Sequence, residues 1–154
     1  MNTSDKLSPH FTFGELTNTS HSSLLQANRQ EAMRLIKSGE ALCKNLLEPI
    51  RAQFGPVIIH SGFRGPSLND AVGGSKKSQH MLFEAADFHC VNATLQDVFD
   101  WVRKKSGLHY GQLILEGRTP GNPTWVHISL GSPWRDEDVC MQNLKFDGSK
   151  YTKV

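Results

Sequence analysis

Two histidines and an aspartate carry the chemistry that this chain suggests: His80, Asp87 and His127. His80 sits in a polar stretch flanked by glycines. Asp87 follows seven residues later inside a short apolar run, and His127 lies between Val126 and Ile128. A carboxylate among Ala85, Ala86 and Phe88 is costly to bury without a partner, and so is a polar ring among Trp, Val and Ile. One divalent cation would satisfy all three groups. Two imidazoles and a carboxylate leave a coordination position for water, the mark of a catalytic rather than a structural zinc site. The same donor set also suits ferrous iron. Helix geometry does not explain a His-x6-Asp spacing, as it does the paired histidines of H-E-x-x-H. The spacing instead asks for a loop ligand at the mouth of a strand and a second ligand on that strand.

The remaining elements must bring those strands together. Residues 1–9 are polar and read as a loose terminus. Residues 17–23 are rich in Ser, Thr and Asn and read as a loop. From about Asn28 to Phe54 apolar residues recur at three- and four-residue steps, which predicts one amphipathic helix. Pro49 should kink or end its last turn, and Gly55-Pro56 should stop it. Val57–Ser61 reads as a buried strand from its β-branched run. Ser67 could cap a short helix over Leu68–Val72. Glu84–Cys90 is a second strand. Thr94-Leu-Gln-Asp97 opens a helix over Leu95–Lys105 in the manner of a capping box. Gln112–Glu116 and Trp125–Leu130 are third and fourth strands, joined by a Gly- and Pro-bearing loop over Gly117–Thr124 and naturally antiparallel. A further strand is expected near Met141–Phe146. The order predicts an α+β fold: a small, mainly antiparallel central sheet with helices packed on one face.

The chain has 154 residues, enough for one domain with a real core. The reading is a single domain over 1–154, with its core about 7–132 and a C-terminal extension at 133–154. The net charge of +2 is too weak a bias for nucleic acid, which needs a concentrated basic face. Cys43, Cys90 and Cys140 are odd in number and lack C-x-x-C spacing, so free thiols are expected. Residues 1–10 carry no apolar signal-peptide segment, and no run is long enough to span a membrane. The protein is therefore expected to be made in the cytoplasm without a signal peptide, with no membrane insertion, and to be a monomer.

Several motifs resemble one known family. They are Ser61-Gly-Phe-Arg64, Pro66-x-Leu-Asn69, Ala71-Val-Gly-Gly74, Ser78-x-His80, Glu84-Ala-Ala-Asp87 and Trp125-Val-His-Ile-Ser129. Together they look like the zinc D-alanyl-D-alanine carboxypeptidases, whose wider clan includes hedgehog signalling domains and phage wall-lysing peptidases. The resemblance runs from roughly Leu7 to Ser129. It implies a zinc peptidase acting on peptidoglycan stem peptides, as a D,D-carboxypeptidase or an endolysin-type endopeptidase. It places the Zn2+ ligands on His80, Asp87 and His127, and it selects zinc over iron. It also implies action on the cell wall after release, in phage or prophage lysis or virion delivery.

The family's general base precedes the last histidine. In many relatives it stands at the third position before it, here Thr124, which cannot act as a base. Others carry a strand of the type Gln-Leu-Ile-x-Glu, and Gln112-Leu-Ile-Leu-Glu116 matches it, which assigns the base to Glu116. Arg64 corresponds to an arginine placed near substrate, suited to an oxyanion or a terminal carboxylate. Ser78 either hydrogen-bonds substrate or holds its loop, and Trp125 either packs beside the metal or meets the peptide. Two features depart from the pattern. Phe83 stands where glycine is usual, and would narrow the cleft or redirect the loop. The segment after Glu116 is expanded. His89, on the strand face of Asp87, and His109, close to the third strand, are further candidate neighbours. His10, His21 and His60 match no metal role. The competing reading is a zinc-stabilised, non-catalytic module that binds cell wall or protein.

Overall fold

The computed structural model describes residues 1–119 and 121–154. The polar N-terminus is not loose. Lys6–Ser8 (β1) pairs antiparallel with Phe11–Thr12 (β2), and Leu7, Phe11 and Phe13 are buried. Those three apolar side chains anchor a segment whose other residues are polar. The Ser8 hydroxyl donates to Glu48 at 2.7 Å, and the His10 ring lies 2.8 Å from the other oxygen of that carboxylate. A short helix, Phe13–Thr17 (α1), follows, capped by the Thr12 hydroxyl.

The long amphipathic segment is helical but not one uniform helix. It comprises Leu25–Ala32 (α2), Ile36–Leu42 (α3) and Glu48–Phe54 (α4). A 3-10 turn at Met33–Leu35 and a π turn at Cys43–Leu47 join them. Pro49 neither ends nor breaks the run. It has no N–H to offer the Asn45 carbonyl and its ring would crowd that oxygen. The wider turn just before it absorbs the mismatch. The run stops at Gly55, whose φ of 84° suits a residue without a side chain. Leu42, Leu46, Leu47 and Ile50 are fully buried, so the stripe seen in the sequence is the core face.

Val57–Ser61 (β3) is an edge strand rather than a buried one, and Ile58 is 46% exposed. Pro66–Ala71 (α5) starts two residues earlier than expected. Pro66 takes a first-turn position, and Ser67 lies inside the helix instead of capping it. A missing N–H costs nothing in that first turn. Next come Ala85–Cys90 (β4) and Leu95–Lys104 (α6), whose Thr94 hydroxyl accepts the Asp97 N–H at 3.1 Å. Tyr110–Glu116 (β5), Trp125–Leu130 (β6), Gln142–Phe146 (β7) and Tyr151–Lys153 (β8) complete the chain.

The main sheet runs β3-β4-β6-β5-β7-β8. Every neighbouring pair is antiparallel except β5 and β7, which are parallel. Residues of period two divide its faces. Ala86, Phe88, Leu113, Leu115, Val126 and Ile128 point into the core, against which α3, α4 and α6 pack. Asp87, Ile114, Glu116 and His127 lie on the other face and line an open cleft. The fold is α+β, with helices covering one side of a mainly antiparallel sheet. Among the described residues no helix is long and apolar enough to cross a membrane.

Candidate active site

Asp87 and His127 sit directly opposite each other on β4 and β6. Cross-strand partners in an antiparallel ladder share a face, so both side chains emerge together into the cleft. His80 arrives from the 3-10 turn Gln79–Leu82, which precedes β4 and is capped by the Ser78 hydroxyl. One atom from each of the three residues lies within 4.8 Å of the others, and all three residues are buried. The His127 Nδ1 is 2.8 Å, and the His80 Nε2 3.3 Å, from the same oxygen of Asp87.

The donor set fits a cation. His80 Nδ1 donates to the Gly62 carbonyl at 2.6 Å, so in the neutral ring Nε2 presents a lone pair toward the Asp87 oxygen. Two acceptors facing each other need a positive charge between them, and a backbone carbonyl that fixes the ring is the usual outer support of a metal-binding histidine. Burial alone would raise the Asp87 pKa. With protonated rings in place of a cation, the charge and hydrogen bonds of His80 and His127 outweigh burial and hold the Asp87 carboxyl below the usual carboxylate range. His80, Asp87 and His127 are therefore the residues that would hold a metal.

Glu116 is brought to the same place despite the long segment that separates it from His127. It pairs in register with Trp125, while Ile114 pairs with His127. The Thr124 N–H closes the hairpin on the Glu116 carbonyl at 2.7 Å. The expanded segment thus loops beyond the hairpin end, outside the register that matters; Pro120 within it lies outside the described residues. The Trp125 indole N–H donates to Glu116 Oε2 at 2.7 Å. Burial, then the Asp87 charge, push the Glu116 carboxyl above its usual range, against the pull of His127, Trp125 and Arg64.

Arg64 lines the cleft, and its backbone N–H is tied to the His80 carbonyl at 3.0 Å. Burial lowers its pKa, while Asp87 and Glu116 oppose that shift. One terminal nitrogen donates to Ser78 at 3.4 Å, whereas the buried Nε has no partner. Ser78 accepts from both Arg64 and the His80 N–H, so its hydroxyl holds the loop and the guanidinium together.

Phe83 does not narrow the cleft. Its ring is fully buried beneath α3, 5.4 Å from the Phe63 ring and against Gly39. Its backbone is left-handed, with φ 59°. That conformation is why glycine suits this position, and burial of the ring offsets the strain. His89 bonds His60 at 2.6 Å and contributes no atom to the three-ligand cluster. His109 bonds the Ser132 hydroxyl at 3.0 Å; with Glu137 and Cys140 it forms a separate group, in which His109 and Glu137 are exposed.

Sequence reasoning missed three contributors: the Gly62 carbonyl, the Trp125 indole as partner of Glu116, and the cleft wall made by Leu144, Phe146 and Tyr151. The Leu144-x-Phe146 alternation is the only sign of the last in the sequence.

His80, Asp87 and His127 converge on a point that could hold a cation, and with Glu116 they line a cleft of about 940 Å³. The sequence profile described as Peptidase M15 matches residues 9–129, and the chain belongs to that family. The family is one of zinc D-Ala-D-Ala carboxypeptidase-like peptidases and is zinc-dependent in general. No curated protein matches the chain.

Proposed function

We propose that this chain is a zinc-dependent peptidase that hydrolyses peptide bonds in peptidoglycan stem peptides. The observation that carries the reading is Glu116, which faces the same cleft as His80, Asp87 and His127 and is held by Trp125. His80, Asp87 and His127 would hold the ion; zinc bound there would supply Lewis acidity and a water acidified from a pKa of about 15.7 toward about 7. Glu116 accepts the proton of the attacking water and delivers it to the leaving nitrogen as the C–N bond breaks. Burial raises its pKa, which favours the return of the proton to the leaving nitrogen. Arg64, with a donor left unpaired, binds the developing oxyanion or a terminal carboxylate. Ser78 and Trp125 position Arg64 and Glu116 respectively.

Purified protein is incubated with muropeptides, with and without a chelator, beside a Glu116→Gln variant. The expected result is loss of a terminal D-Ala or cleavage of a stem, abolished by chelator and restored by zinc. The Glu116→Gln variant should keep its metal and lose about 10²–10⁴-fold in rate, the usual contribution of a general base. One bound equivalent of zinc without product under any condition would replace the enzyme with a binding module.

A further inference from the structure

The last two strands, β7 and β8, lie wholly beyond the residues that match the family, yet they extend the face that carries the site. Glu116 pairs with Trp125 on one side and with Phe146 on the other, and Phe146 pairs in turn with Tyr151. Two residues along, on the same face, His127 pairs with Ile114 and Ile114 with Leu144. Two cross-strand rows therefore run without interruption from the reacting groups onto the tail. The Phe146 and Tyr151 rings stack at 4.5 Å with 25° between their planes, and both line the cleft with Leu144. Tyr151 is 57% exposed, so its ring is open to a ligand.

The cleft is thereby divided. Arg64, Lys77 and Ser78 line the side that follows β3, at one edge of the sheet. The apolar wall stands at the opposite edge, with the three-ligand cluster between. The Tyr151 hydroxyl is pushed above its usual range by burial and then by Glu116 and Asp87, in keeping with its place beside the site.

We propose that Leu144, Phe146 and Tyr151 form a substrate subsite that packs on the aliphatic stem of a side chain of the peptide on the acyl side of the scissile bond. This rests on the peptidase reading, in which Arg64 takes the carboxylate on the leaving side. A flat aromatic pair flanked by leucine offers dispersion contact and water exclusion, with Arg118 the charged neighbour beyond Glu116, so the wall itself favours a long apolar stem.

The test measures binding, so that it does not depend on turnover. Zinc-loaded Glu116→Gln protein is titrated calorimetrically with acetyl-norleucyl-D-Ala-D-Ala and with acetyl-glycyl-D-Ala-D-Ala. The norleucyl peptide should bind about tenfold tighter, the scale on which apolar pockets discriminate added methylenes. Adding Tyr151→Ala or Phe146→Ala should bring the ratio toward one, and Tyr151→Phe should preserve it. Metal content and near-ultraviolet circular dichroism check that each variant is folded. A ratio near one in the parent, or a tenfold ratio that survives both alanine changes, overturns the subsite. Failure of the zinc-loaded wild type to cut these peptides and any muropeptide overturns the peptidase reading instead, and the binding ratio still decides the subsite separately.

Discussion

Trp125 tempers the rise in the Glu116 pKa without setting it. Its indole N–H bonds the Glu116 carboxylate and favours the charged form, against burial and the Asp87 charge, which favour the neutral one. Trp125→Phe keeps an aromatic ring and deletes the donor. The Glu116 pKa should then climb further. Because the general base works only when ionised, the acid limb of the kcat/KM profile should move to higher pH, with zinc content unchanged. A limb that stays in place would show that Trp125 only packs. Glu48 gives the opposite sign at a structural position. Burial raises its pKa, but bonds from Ser8 and His10 outweigh that and hold it below the usual range. A depressed folded-state pKa contributes stability above the unfolded value and loses it as pH falls through the folded one. Glu48→Gln should therefore be destabilised at neutral pH, and the gap to wild type should close in acid denaturation followed by circular dichroism.

At the scale of elements, Gly39 and Phe83 form one device. A Cβ on Gly39 would stand 2.8 Å from two carbons of the Phe83 ring, which is fully buried and lies in the core. Gly39→Ala would gain about 1 kcal/mol of helix propensity, but overpacking a well-filled core costs about 1–3 kcal/mol. The net expectation is a lower urea midpoint with an unchanged slope. Phe83 ends the turn that carries His80, so zinc affinity should fall along with stability; higher stability would mean that the ring moves aside freely. This pairing was illegible in the sequence, where Phe83 read only as a departure from glycine. Periodicity exposed the helical stripe, the strands that carry Asp87 and His127, and the Glu116 hairpin, because those depend on local alternation and apolar spacing. It could not expose the π turn before Pro49, the pairing of β1 with β2, or the edge position of β3. Those are set by partners distant in the chain.

At the scale of the whole molecule, the sheet has one face under helices and one face that carries the polar groups of the cleft. His80, Asp87 and His127 are buried, and both rings face the same Asp87 oxygen. The same three residues that would hold zinc for chemistry should then couple metal to folding. An ion that binds only the folded state stabilises it by about 2.7 kcal/mol at a hundred times its dissociation constant. Zinc should raise Tm in a concentration-dependent way, and a chelator should reverse the rise. Asp87→Asn removes the anionic ligand while nearly preserving volume, so it should abolish the zinc-dependent rise. Glu116→Gln, which leaves the three ligands intact, should retain it. Calorimetric scans of the three proteins at fixed free zinc separate these outcomes. A zinc response that persists in Asp87→Asn would place the ion elsewhere, the group of His109, Glu137 and half-buried Cys140 being the other cluster with convergent donors among the described residues. Cys140→Ser would then discriminate between the two, since a thiolate contributes at that group and at no position of the cleft cluster.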